Sequence, residues 1–220
     1  MKIACFIPIK GNSKRVLKKN TRLLGSKPLF RYALDTIIES KVFDDVYVDT
    51  DSDDVKRYCI NNSINVIDRD PELAKDTANG NHLLEHWINI KPDYDFYFQI
   101  FITAPFIKIE TIQDCVSIVQ EKSDYDSVFT GCEEYVWYWF DNKPINYNPK
   151  VLPRTQDSQP IVKETTSLYG ISKENFLKNK SRVGDNPKIY MVDRIEGVDI
   201  DTELDFSLAE HIYWKKNERR

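Results

Sequence analysis

At 220 residues, the chain can bury a sizeable core as one α/β domain. Its 31 basic and 35 acidic residues leave a net charge of −4, which argues against a general nucleic-acid binder, where a strong basic excess is expected. No apolar run approaches membrane-span length, no long apolar leader follows Lys2, and Cys5, Cys59, Cys115 and Cys132 show no CxxC pair for structural zinc; the expectation is a cytoplasmic protein with reduced, mostly buried thiols.

Residues 3–7 read as a buried first strand. The loop that follows carries five cations: Lys10, Lys14, Arg15, Lys18 and Lys19. Gly11, Asn12 and Ser13 let its backbone turn tightly and offer N–H donors. A strand, a small-residue turn and clustered lysines suit a polyphosphate, with a solvated basic loop as the alternative. The loop lacks the second glycine and the Gly-Lys-Ser/Thr of a Walker A motif. Phe30, Ala33, Leu34, Ile37 and Ile38 recur at helical spacing behind Pro28. A second strand at 46–48 runs into the acidic stretch 49–53, which caps a helix to about Asn61 or binds a metal. A third strand at 65–67 delivers Arg69. Leu83, Leu84, Trp87 and Ile88 form a helical face, residues 94–102 a long strand, 108–121 a helix and 127–132 a strand.

Alternating strands and helices imply right-handed βαβ units in a mainly parallel sheet, with helices against it. Ligands of such sheets bind beyond the strands' carboxyl ends. The basic loop, Arg69 and Thr103 all fall there. Residues 133–163 break the alternation with Tyr135, Trp137, Tyr138, Trp139, Phe140 and four prolines, so they read as an excursion serving as a lid or an oligomer interface. Strand returns at 167–172 and 189–192. A last helix carries Leu204, Leu208, Ala209 and Ile212 on one face, with Thr202 and Asp205 at capping-box spacing. If residues 199–201 are extended, Asp199 and Asp201 share a side and Ile200 points away. That arrangement suits Mg²⁺ completed by phosphate oxygens; the alternative is that Asp201 caps the helix.

Taken in order, several segments resemble the cytidylyltransferase family of CMP-sialic acid and CMP-Kdo synthetases. They are Asn12-Ser13-Lys14 with Lys19-Asn20, Leu24-Gly25-Ser26-Lys27-Pro28-Leu29, Val48-Asp49-Thr50-Asp51, and Arg69-Asp70-Pro71-Glu72-Leu73-Ala74 with Asp76-Thr77-Ala78. Thr103-Ala104-Pro105 and Asp199-Ile200-Asp201-Thr202-Glu203-Leu204-Asp205 complete the set. The resemblance implies a Rossmann-like α/β fold over residues 1–220 and transfer of CMP from CTP to a sugar acid, releasing pyrophosphate. It implies that Lys19 holds the triphosphate, that Lys10, Asn12, Ser13, Lys14 and Asn20 line the same loop, and that Arg69 meets the nucleotide. Asp199 and Asp201 would hold Mg²⁺, and a homodimer is expected.

The chain departs from the family's pattern in places. Lys10 stands where Arg is frequent, losing a bidentate fork. Phe101 stands where a glutamine is usual, and Gln99, two residues earlier on the same strand face, is the substitute. The family's Asn-Gly-Ala before a tyrosine is Thr165-Thr166-Ser167 before Leu168-Tyr169, and a lysine of the excursion is absent near Phe140. Arg154 and Gln156 resemble the family's Arg-Gln segment, and with Thr165 and Tyr169 they are the expected acceptor contacts. The acceptor is therefore open among sialic acid, legionaminic acid, pseudaminic acid, Kdo and a phosphonate. A non-catalytic nucleotide-binding relative is the reading from another class.

Overall fold

The structure is a computed structural model and describes residues 1–121 and 124–218. From residue 3 the chain runs β1 (Ile3–Ile9), a short hairpin of β2 (Leu23–Leu24) and β3 (Lys27–Pro28), α1 (Leu29–Ser40), β4 (Asp45–Thr50), α2 (Asp53–Asn61) and β5 (Asn65–Asp68). Then come α3 (Gly80–Ile90), β6 (Phe96–Ile100), α4 (Ile109–Gln120) and β7 (Ser127–Glu134). The excursion forms a small hairpin of β8 (Trp139–Phe140) and β9 (Lys143–Pro144); β10 (Ile161–Ser172), α5 (Lys173–Asn179), β11 (Pro187–Met191) and α6 (Glu203–Asn217) complete the chain. No helix among the described residues is long and apolar enough to cross a membrane.

Seven strands form one sheet in the order β11-β7-β10-β6-β1-β4-β5. β1 pairs in parallel with β4 and β6, β4 with β5, and β7 with β11. β10 alone runs antiparallel to its neighbours β6 and β7. The expected mainly parallel α/β sheet is therefore present. Its strand order reverses at β1, where α/β sheets open a crevice at the carboxyl ends of their strands. β1 is buried along nearly its whole length because helices cover both faces. Phe98, Ile100, Leu34 and Val116 pack in one cluster, and Phe6, Trp87 and Tyr97 stack in the other.

Two expected details differ. The long strand at 94–102 is regular only over Phe96–Ile100. On α6, Phe206 and Ala209 are buried whereas Leu204 and Leu208 are exposed. The buried stripe is set by contacts distant in sequence: Arg22 lies 4.1 Å from the Phe206 ring centroid, and Tyr213 bonds Ser26 at 2.9 Å. Gly25, at φ +62°, admits that ring, since a Cβ there would lie 2.0 Å from Tyr213.

Candidate active site

The loop after β1 crosses the carboxyl edge of the sheet and is fastened at several points. The Gly11 amide donates to Asp51 Oδ1 at 2.6 Å, and Asn20 Nδ2 donates to the Lys10 carbonyl at 2.6 Å. Lys10 and Lys14 both pair with Asp76. Hydrogen bonds from Lys14 and Lys10 hold the Asp76 carboxyl down at about 2. Lys10, Asn12, Ser13, Lys14, Arg15, Lys19, Asn20 and Arg69 line a cavity of about 550 Å³, together with Phe101 and Thr103. Asn20 Oδ1 is buried there without a hydrogen-bond partner.

Lys19 joins this cavity to a second. Its buried ammonium donates to the Ile200 carbonyl at 2.7 Å and lies 3.5 Å from Asp201 Oδ1. Burial lowers its pKa from the ordinary value, opposed by Asp201 and Asp199. Arg15 reaches the same Asp201 oxygen at 2.7 Å. Residues 199–201 are pinned beside β6 by the Ile200 amide, which donates to the Thr103 carbonyl at 2.9 Å. Ile200 is fully buried, while Asp199 and Asp201 both line a second cavity of about 610 Å³. The helix cap is Thr202, in a reciprocal capping box with Asp205. The Asp201 carboxylate thus faces cations rather than serving as the cap. Asp199 Oδ1 is buried with no hydrogen-bond partner. An unpartnered buried carboxylate oxygen beside a second acid fits a hard cation, so Asp199 and Asp201 are the residues that could hold Mg²⁺.

The floor of the second cavity is a bulge in β10. Glu164 pairs with Gly131 but Tyr169 with Phe129, so residues 165–168 lie opposite Thr130 alone. Buried Thr165 and Ser167 each share a 2.7 Å hydroxyl bond with Thr130 and one of 2.8 Å with each other. Thr166 turns the other way and donates to Asp199 Oδ2 at 2.7 Å.

Other expected residues stand apart. Arg69 reaches the nucleotide cavity only from within a buried pair: its Nε is 2.6 Å from Asp49 Oδ1, and Trp87 Nε1 holds the other Asp49 oxygen at 2.5 Å. Gln99 is buried and donates to the Gly80 carbonyl at 3.1 Å, lining neither cavity. Tyr169 is buried with its hydroxyl on Glu164, which together with burial raises its pKa. Arg154 and Gln156 are exposed on the excursion and line neither cavity; Arg154 pairs with Asp157 at 2.6 Å. Sequence reasoning missed Arg182, whose guanidinium lies 3.6 Å from the Tyr169 ring centroid and bonds Glu164 and Gln99. Only its three-dimensional neighbours single it out. The acidic stretch 49–53 is divided among Arg69, Gly11 and the cap of α2, where Ser52 accepts from Val55.

A family model described as cytidylyltransferase matches residues 4–190. The chain belongs to the cytidylyltransferase family. Its relatives include the N-acylneuraminate cytidylyltransferase of Streptococcus agalactiae, 28% identical over 215 residues that cover 94% of this chain and 52% of that protein. The CMP-N,N'-diacetyllegionaminic acid synthase of Legionella pneumophila is 28% identical, with 96% of each chain covered. The chain spans about half the length of the N-acylneuraminate relatives it matches. A solved CMP:2-keto-3-deoxy-manno-octonic acid synthetase complexed with CTP shares the fold, with a TM-score of 0.72 at 14% identity, covering 98% of this chain and 100% of that one.

Proposed function

We propose that this cytidylyltransferase transfers CMP from CTP to a 2-keto sugar acid of the sialic acid type and releases pyrophosphate. The observation that carries the reading is the junction at Lys19: one buried ammonium borders a basic cavity of about 550 Å³, roomy enough for a nucleotide, and touches the Asp199–Asp201 segment. The acceptor hydroxyl oxygen attacks the α-phosphorus and its proton passes to the Asp199 or Asp201 carboxylate, while the bond from the α-phosphorus to the bridging oxygen breaks and that oxygen leaves with the pyrophosphate. Lys19 sits where it can offset charge on the α-phosphoryl oxygens, while Lys10, Lys14 and Arg15 bind the leaving diphosphate. Asp199 and Asp201 would hold Mg²⁺, which supplies further charge neutralisation at the phosphates. Asn20 Oδ1, without a protein donor, can accept a hydrogen bond from a ligand N–H or O–H group.

The Legionella synthase matches this chain over nearly its whole length, which favours a legionaminic-type acceptor as a second reading within the same chemistry. We assign homodimerisation to the excursion, where Trp139, Phe140, Ile145, Val151 and Leu152 are all more than half exposed. Mass-spectrometric search for a CMP-sugar after incubation with CTP, Mg²⁺ and N-acetylneuraminic or legionaminic acid tests the function. A product with either acid supports it. CTP left intact with both would remove the acceptor class.

A further inference from the structure

We propose that Thr166 is a positioning residue for Asp199: its hydroxyl holds Oδ2 at 2.7 Å and so fixes the orientation of the carboxylate in the cavity wall. This deepens, and rests on, the reading of Asp199 as a site residue. Thr166 has φ +55°, a left-handed conformation in which Cβ crowds the carbonyl oxygen and which is least tolerable for a β-branched side chain. Glycine makes such a turn without strain. Strained non-glycine residues persist where the surroundings gain from them, and they cluster at functional sites.

The neighbours do not need Thr166 to hold the bulge. Thr165 and Ser167 are tied to Thr130, and the Ser167 carbonyl accepts from the Phe101 amide at 2.9 Å. Thr166 is half-buried, lines the same cavity as Asp199, and contributes there through its hydroxyl. That hydroxyl has one proton and two acceptors at 2.7 Å, the Thr165 carbonyl and Asp199 Oδ2. The ionised carboxylate is the stronger acceptor. A carboxylate turns easily about its last torsion. With Oδ2 held, Oδ1, which has no partner, keeps one direction; without the hydroxyl, both oxygens become interchangeable and ill-aimed.

Three variants separate the hydroxyl from the backbone. Thr166→Ser keeps the hydroxyl, Thr166→Val keeps the shape and the strain, and Thr166→Gly removes hydroxyl and strain together. The measurement is Mn²⁺ bound by the protein with CTP and no acceptor, beyond that held by CTP alone, read from the resonance of the free ion. Thermal unfolding of each variant without metal accompanies it. Valine and glycine variants should bind the ion about ten-fold more weakly, as losing an orienting partner of a metal ligand does. The serine variant should match the wild type, and glycine should melt no lower than valine. A glycine variant with wild-type affinity would overturn the proposal, because loop shape alone would suffice; it also serves if valine fails to fold. A serine variant as weak as valine overturns it equally. If the wild-type protein itself bound no ion, all four proteins would agree, and the proposal would fall together with the metal reading of Asp199 rather than alone.

Discussion

Replacing Lys19 with methionine removes one charge and keeps most of the packing. Lys19 is 8% exposed, and its ammonium makes a 2.7 Å bond to the Ile200 carbonyl. A hydrogen bond from a charged donor contributes about 1.5–3 kcal/mol. The same burial that lowers its pKa disfavours the charge in the folded state, so the net stability change should be about 1 kcal/mol, or roughly 2–4 °C in Tm for a domain of this size. The kinetic loss should be larger, because a preorganised charge facing the reacting phosphate is worth about 10²–10³ in kcat. Steady-state pyrophosphate release alongside thermal unfolding separates the two. The pH profile adds a sign. Activity should fall on the alkaline side below the ordinary lysine range, as Lys19 loses its proton. Over that window the unfolded chain binds the proton more tightly than the native state does, so this residue's contribution makes stability rise with pH. Lys19→Met with kcat within about three-fold of wild type would refute the reasoning, since such a change is far below the ~10²-fold expected of a transition-state charge.

Asp49→Ala strands Arg69 in the core; breaking a buried pair costs about 3–5 kcal/mol, so Tm should drop by roughly 10 °C, and an unchanged Tm in a melting curve would show Arg69 to be freely solvated. Asp199→Asn and Asp201→Asn should each abolish Mg²⁺-dependent turnover yet leave far-ultraviolet dichroism intact, because Thr202 and Asp205 still cap α6; lost helix with retained turnover would reverse that. Arg154, which lines neither cavity, should be dispensable: Arg154→Ala should leave the KM of the acceptor and of CTP unchanged, and a raised KM for the acceptor would return it to the acceptor site. Phe140→Glu should convert a dimer to a monomer in light scattering, whereas an unchanged mass would place the interface elsewhere.

The βα alternation and the carboxyl-edge location of the basic loop were legible because they rest on local periodicity and on strand ends. Ser52 and Thr202 were legible as part of capping patterns for the same reason. The stripe of α6 was legible at Ala209 only: Leu204 and Leu208 fit helical spacing but are exposed, and the burial of Phe206 depends on Arg22 and Tyr213 meeting partners far along the chain. The start of β10 was hidden by the polar Lys163-Glu164 and the bulge that follows; residues 161–164 pair with β7 across the sheet. Arg69 was placed correctly at a strand end, but its commitment to Asp49 and the link from Asp49 to Trp87 join distant positions. Arg182 carries no local signal at all.

The central claim is most directly tested by pyrophosphate release from CTP across a panel of N-acetylneuraminic acid, legionaminic acid, pseudaminic acid, Kdo and a phosphonate, each with and without Mg²⁺. The account predicts release that requires an acceptor and the metal, is fastest with a nine-carbon 2-keto acid, and is lost in Asp199→Asn. Saturable CTP binding with no release from any acceptor would contradict it and mark the protein as a non-catalytic nucleotide-binding relative.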